Sequence, residues 1–287
     1  MINQSMRALG EKRSVIRELF EYGRARKKEI GEDKVFDFSL GNPSVPAPNA
    51  VRDRLIALLQ EGDPIRLHGY TSAQGDAEVR RAIAEYLNAT HSAGVTADCL
   101  YLTAGAAASL TVSLTAILNP GDEVILLAPF FPEYRVFVER TGAKVIPVAC
   151  RELDFQPDLS ALAEAITERT RAVIVNSPNN PTGAVLTEEN AKAMCQVLAE
   201  ASARFGEPIY LIADEPYREL AFDGAEVAYL PKYYRNTIVG YSWSKSLSLP
   251  GERIGYLEIP PRIDDYEIVR SAISICARIL GFVNAPS

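Results

Sequence analysis

From Leu100 to Ile259 the chain keeps returning to one pattern. Short apolar, β-prone runs end in polar or glycine-containing loops, and most of those loops lead into stretches at helical spacing. The runs are Leu100–Thr103, Val124–Ala128, Val145–Val148, Ala172–Val175, Ile209–Ala213, Thr237–Ser242 and Ile254–Ile259. Runs without inside-outside alternation suit strands buried on both faces, and helices between them supply the cover. The expectation is therefore an α/β fold: a mainly parallel, seven-stranded type of sheet with helices on both faces. In such folds the site forms in the loops at the carboxyl ends of the strands. The helices expected in this region are Ala104–Leu118, one starting near Pro132, Leu159–Ile166 and Glu188–Ala203.

Ahead of this region, a charged amphipathic helix is expected over Glu11–Glu29, with Val15, Ile16, Leu19 and Phe20 on one side. A strand over Val35–Leu40 and the loop Gly41–Ser44 follow. Asn49 is placed to cap a helix through Leu59. The stretch His68–Gly75 has loop composition, and Asp76–Leu87 returns to helical spacing.

At 287 residues the chain can bury a large core. A net charge of −7 argues against a nucleic-acid binder, which needs a basic face. No apolar run approaches membrane-spanning length, and Met1–Phe20 is interrupted by charges where a signal peptide would be apolar. The reading is a soluble, cytoplasmic protein. Cys99, Cys150, Cys195 and Cys276 lack paired spacing, and with only His68 and His91 besides no metal site is expected. Asn88-Ala89-Thr90 matches a glycosylation acceptor by chance.

The richest stretch is Tyr241 to Gly255, where a strand ends in Ser242, Trp243, Ser244 and Lys245 before Pro250-Gly251 and Arg253. Burial lowers a lysine pKa and favours the neutral amine that attacks carbonyl carbons. Two serines and an arginine suit a phosphate. An amine nucleophile beside a phosphate grip suggests pyridoxal 5'-phosphate (PLP). Asp214 closes the apolar strand Ile209–Ala213, and a buried carboxylate there needs a cation or several donors. A protonated pyridine nitrogen would serve, and the ring then becomes an electron sink. Tyr217 and Asn180 could both hydrogen-bond the cofactor's phenolic oxygen. Gly105, Ala106 and Ala107 open a helix whose free N–H groups could hold phosphate. Phe131 could stack on the ring or serve equally as core.

Taken together and in order, these residues resemble the class I/II aminotransferases of PLP fold type I. The shared motifs are Tyr70 with Gly75, Gly105-Ala106, Asn180-Pro181-Thr182-Gly183, Asp214 with Tyr217, and Ser242-Trp243-Ser244-Lys245 with Arg253 and Gly255. The resemblance implies that Lys245 holds PLP as an internal aldimine and then shuttles the substrate α-proton. It implies that Asp214 pairs with the ring nitrogen while Asn180 and Tyr217 bind the phenolic oxygen. Ser242, Ser244, Arg253 and the backbone at Gly105, Ala106 and Ala107 would bind the phosphate. Tyr70 would reach the phosphate of the neighbouring subunit, which implies a homodimer. Gly41 would approach the substrate carboxylate, with Asn180 bordering the substrate as well. The substrates implied are an amino acid and a 2-oxo acid. Residues 1–40 would form an N-terminal arm belonging to a small domain, and 41–287 the large PLP-binding domain.

Two departures accompany the resemblance. Ala107 stands where the family often has a polar side chain. The sequence given ends at Ser287, whereas family members continue into a small domain with an arginine for the substrate carboxylate, so a fragment or a truncated chain is expected. Two other outcomes share these residues: a PLP-dependent carbon–sulfur β-lyase or related fold-type-I enzyme, and a cofactor-binding module without turnover. A nicotinamide-binding domain is a poor reading, since no Gly-x-Gly-x-x-Gly follows the first strand. Arg24, Arg26, Arg66 and Arg135 are read as solvated surface charges.

Overall fold

Strands β1 (Leu100–Thr103), β2 (Glu123–Ala128), β3 (Lys144–Ala149), β4 (Thr170–Asn176), β5 (Tyr210–Asp214), β6 (Thr237–Ser242) and β7 (Gly255–Glu258) form one sheet. In this computed structural model the spatial order is β1-β7-β6-β5-β4-β2-β3. Pairings β2–β3, β2–β4, β4–β5 and β5–β6 are parallel, while β7 runs antiparallel to both β6 and β1. A loop rather than a helix joins β6 to β7, and such a return reverses direction. The described residues are 2, 4–11, 15–39 and 41–281. They fall into two units, Met1–Pro46 and Ala47–Ser287.

The first unit holds α1 (Gln4–Glu11) and α2 (Val15–Ile30), with a short 3-10 turn at Glu32–Lys34. Residues 12–14, inside the single helix expected from the sequence, and Leu40 lie outside the described residues, as do the side chains of Val15 and Ile16. The strand expected over Val35–Leu40 is corrected: residues 35–38 belong to no strand, and Phe36 and Phe38 are 82% and 93% exposed. Their β-propensity has no neighbouring strand to bond, and the local alternative wins. Asp37 Oδ1 accepts from both the backbone N–H and the hydroxyl of Ser39, at 3.0 and 2.6 Å, and turns the chain there.

The second unit begins with α3 (Asn49–Glu61) and α4 (Pro64–His68). Asn49 is the first helical residue and not the cap; Pro48 holds the cap position without a side-chain bond. The following proline-led turn is capped by Asp63, whose carboxylate accepts from Ile65 N at 3.0 Å. Helix α5 (Ala77–His91) starts where Asp76 accepts from Glu78 N and Val79 N. The remaining helices are α6 (Ala106–Ile117), α7 (Glu133–Glu139), α8 (Leu159–Ala165), α9 (Glu188–Phe205) and α10 (Tyr266–Ile279). Helix α10 is an element to which the sequence reading assigns nothing.

Successive strand residues face opposite ways, so each strand feeds two cores. Leu126, Ile174, Ile212 and Ile238 pack with Leu110 and Leu114 of α6, Val138 of α7 and Ile273 of α10. Ile125, Val173, Leu211 and Val239 pack with Leu162 of α8 and with Met194 and Leu198 of α9. A third cluster joins Ile83 and Leu87 of α5 to Leu100, Leu102, Tyr241 and Tyr256. Cutting a fully buried leucine such as Leu198 to alanine would cost about 2–5 kcal/mol. Among the described residues no helix is long and apolar enough to cross a membrane.

Candidate active site

Three parallel strands finish side by side: the register places Asn176 of β4 opposite Asp214 of β5, and Asp214 opposite Gly240 of β6. Asp214 is 6% exposed. One of its carboxylate oxygens, Oδ2, accepts from the Tyr134 hydroxyl at 2.5 Å, and the other, Oδ1, is buried without a hydrogen-bond partner. Burial pushes the carboxyl up to about 7; the Tyr134 bond pulls it down, and the neighbouring Glu215 adds to the rise. A buried oxygen left in this state is costly unless a donor is supplied from outside the chain.

Asn176 ties the rim together. Its amide donates to the Asp214 carbonyl at 2.8 Å, and its side-chain oxygen accepts from Asn180 N at 2.6 Å. Asn180 in turn donates to the Tyr217 hydroxyl at 3.3 Å. Burial raises the Tyr217 hydroxyl above its usual value, so it remains a donor. Phe131 is half-buried and meets Tyr134 edge-on, with ring centroids 5.6 Å apart.

Lys245 sits in the turns after β6, half-buried, with its amine pKa lowered first by burial and then by the charge of Arg253. Ser242 and Ser244 are buried there, and the Ser242 hydroxyl donates to that of Ser244 at 3.2 Å. Arg253 donates to the Pro250 carbonyl at 3.0 Å and to that of Ala104 at 3.5 Å. The latter bond brings its guanidinium to the start of α6. Gly105 caps that helix at φ 82°, and a Cβ on it would stand 2.8 Å from Arg253 Nη2. Only glycine leaves this cradle open. The N–H groups of Ala106 and Ala107, in the first turn of α6, have no acceptor within the helix.

The structure thus gathers Asp214, Tyr217 and Asn180 into one hydrogen-bonded rim, and Gly105 and Arg253 into one cradle. Tyr70 is fully exposed after α4, and Gly41 belongs to the N-terminal unit. Arg26, Arg66 and Arg135 pair with Glu29, Glu78 and Glu139 at the surface, and Arg24 lies over the Phe20 ring. Two site residues escape the sequence reading. Asn176 shares with Asp214 the signal of a polar residue closing an apolar strand. Tyr134 carries no such signal, because its role depends on a contact 80 positions away.

Residues 33–284 match the family described as aminotransferase class I and II. The aspartate aminotransferase of Pyrococcus horikoshii is 32% identical over 96% of the chain, and the arginine–pyruvate transaminase of Pseudomonas aeruginosa 34% over 83%. The chain spans 66% and 59% of the length of these relatives. Among solved structures, an amino transferase from Eubacterium rectale superposes over the whole chain with a TM-score of 0.96 at 51% identity, the chain covering 72% of it. Aspartate aminotransferase from Thermus thermophilus with maleate gives 0.82 at 27%, again over the whole chain and 70% of its own length.

The family uses PLP, and the donors and acceptors present fit that group. The unpartnered Asp214 Oδ1 suits a protonated ring nitrogen, and the Asn180–Tyr217 pair suits a phenolate oxygen. The open start of α6, with Gly105 beside Arg253, suits a phosphate. By motif order, site chemistry, fold and sequence match alike, the chain belongs to the class I and II aminotransferases.

Proposed function

We propose that the protein is a PLP-dependent aminotransferase that moves an amino group between an amino acid and a 2-oxo acid. The observation that carries this reading is Asp214: a buried carboxylate with one oxygen held by Tyr134 and the other unpartnered. When bound, PLP supplies an aldehyde that condenses with amines and a cationic ring that draws electrons from the substrate α-carbon.

The chain's residues have the following parts in this reading. Asp214 holds the proton on the ring nitrogen; a cation there drops its own pKa and keeps it ionised. Tyr217 and Asn180 donate to the phenolic oxygen. Ser242, Ser244, Arg253 and the N–H groups at Gly105, Ala106 and Ala107 grip the phosphate, and Phe131 covers a ring face. Lys245 would be the amine that holds the aldehyde and the base that takes and returns the α-proton. The lowered pKa of its amine favours the neutral base that this needs. Asn180 borders the substrate.

The same reading makes the protein a homodimer, with Tyr70 reaching the partner's phosphate; its full exposure in a single chain supports this. Residues 1–40 then serve as the arm of a small domain and 41–287 as the large domain. A cytoplasmic location belongs to the proposal, supported by four free cysteines.

The test is to load the protein with PLP, reduce it with borohydride, map the labelled peptide, and challenge it with a panel of amino acids. Label on Lys245 and release of 2-oxo acid are expected. Label elsewhere, or no 2-oxo acid from any donor, overturns the proposal.

A further inference from the structure

Val239 and Tyr241, two residues apart on β6, enter the α9 and α5 clusters, so both clusters lie on one face of the sheet. On that face, beside the strand residues Tyr241 and Tyr256, lies a buried polar group that the site described above does not use. Glu215 is almost wholly buried; its Oε2 accepts from Arg218 Nε at 2.6 Å and stands in ion-pair contact with Nη2, which makes no hydrogen bond. Arg218 Nη1 donates to the Tyr256 hydroxyl at 3.2 Å, and its Cζ stands 5.1 Å from the Tyr241 ring centre. Nearby, the Tyr229 hydroxyl donates to the fully buried Glu258, and His91 stacks on Tyr229.

Burying charges this deeply is a poor route to stability, since apolar residues of the same volume usually serve as well or better. What a rigid guanidinium adds is direction: Nε on a carboxylate and Nη1 on a hydroxyl, both fixed in one plane, leave little choice of arrangement. The group has a segment that needs such a constraint. Residues 215–236 join two parallel strands without an α-helix, having only a 3-10 turn at Leu230–Lys232. Glu215 and Arg218 flank Tyr217 within that segment. Its backbone is tied to the sheet where Glu215 N donates to the Gly240 carbonyl at 2.8 Å, while Leu220 N closes onto the Tyr217 carbonyl at 2.8 Å.

We propose that Arg218 is a positioning residue: by joining Glu215 in its own turn to Tyr256 on β7, it fixes the Tyr217 hydroxyl beside Asn180. The inference rests on the reading of Tyr217 as a cofactor contact given under the proposed function. A hydroxyl held there stabilises a phenolate and lowers the pH at which the bound cofactor changes protonation. Loosening the Glu215–Arg218 turn weakens that bond without removing the hydroxyl.

The experiment is a spectrophotometric pH titration of the PLP-loaded protein for the wild type, Tyr217→Phe, Arg218→Lys and Tyr256→Phe, with melting of each cofactor-free protein as the folding control. Tyr217→Phe is expected to raise the midpoint by about one pH unit. Arg218→Lys keeps the charge but loses the rigid plane, and it should raise the midpoint by about half as much or more. Tyr256→Phe should give a smaller rise of the same sign. A shift in Tyr217→Phe alone, with Arg218→Lys and Tyr256→Phe folded and titrating as wild type, overturns the positioning role. Should Arg218→Lys fail to fold, Tyr256→Phe, which loses one hydroxyl only, decides the matter by the same criterion. An unshifted midpoint in Tyr217→Phe overturns the assignment of Tyr217 itself, and the inference with it.

Discussion

The Tyr134 hydroxyl donates to Oδ2 of Asp214 at 2.5 Å, and that bond leaves Oδ1 as the unpartnered half of a buried carboxylate. Helix α7 and strand β5 are thereby joined through one oxygen of that carboxylate. A donor to a carboxylate stabilises the charged form, so Tyr134 opposes the rise that burial imposes on Asp214. The same hydroxyl is itself raised well above the usual tyrosine range by burial and by Asp214, and it stays protonated as the donor.

Tyr134→Phe removes the donor and keeps the ring against Phe131. A hydrogen bond to a charged group is worth about 1.5–3 kcal/mol. The transamination half-reaction should therefore slow by about 10- to 100-fold, with PLP still bound. Stopped-flow absorbance with excess amino acid measures this, and an unchanged rate would show that the bond has no part in holding the charge.

Lys245→Ala should leave the fold intact, since it removes a half-buried amine whose burial is unfavourable. It should abolish borohydride labelling of the chain and slow the half-reaction by about 10²–10⁴-fold or more. Mass spectrometry of the reduced protein and single-turnover kinetics check the two effects separately.

The cofactor-free protein should lose stability as pH rises from about 4 to 7. Asp214 and Glu258 both bind protons more tightly when folded, at about 7 for each against ordinary values of 3.8 and 4.5, so alkaline pH favours the unfolded chain. His91 works in the opposite sense. Burial and the charge of Arg218 lower it to about 4 from 6.5, so its contribution is lost as pH falls through that range. Asp214→Asn mimics the protonated form and should melt above the wild type at pH 7.5 but alongside it at pH 4.5. At the higher pH the difference is roughly 2–4 kcal/mol, or about 5 °C or more. Adding PLP to the wild type should remove most of the gap. Scanning calorimetry at the two pH values is the measurement.

Gly105→Ala forces a side chain onto φ 82° and places a Cβ 2.8 Å from Arg253 Nη2. The backbone conformation, with ψ at 172°, costs a non-glycine residue about 1–3 kcal/mol. Arg253, the end of a flexible chain, has to swing away from the start of α6. PLP affinity should fall by roughly 10- to 100-fold if each displaced phosphate contact is worth about 1.5–3 kcal/mol, which fluorescence titration of the cofactor-free protein would show.

Asp214 is legible as a candidate in the sequence because an ionisable residue closing an apolar strand is costly in a recognisable way, whereas Lys245, three residues beyond the end of β6, is legible from the serines and arginine around it. The strands themselves were legible from unalternating apolar runs, and their ends agree with the structure to within about two residues. Val35–Phe38 has the same β-prone composition and forms no strand, because a strand needs a partner and composition does not supply one. Helix α10 shows the converse. Its apolar residues Val269, Ile273 and Cys276 are spaced for one face, yet that face has meaning only against α6.

By itself the sequence determined the order of the strands from Leu100 onward, the burial of the sheet, and which residue types stand at its carboxyl rim, since these follow from local spacing and from the cost of burying charge. Only the tertiary structure decided the pairings: Tyr134 with Asp214, Asn176 with Asn180, and Arg218 with both Glu215 and Tyr256. Hydrogen bonds act over about 3 Å, and two of these pairs, Arg218 with Tyr256 and Tyr134 with Asp214, stand 38 and 80 residues apart along the chain. No local pattern encodes such a distance; it is set by the register of the strands and the packing of helices upon them.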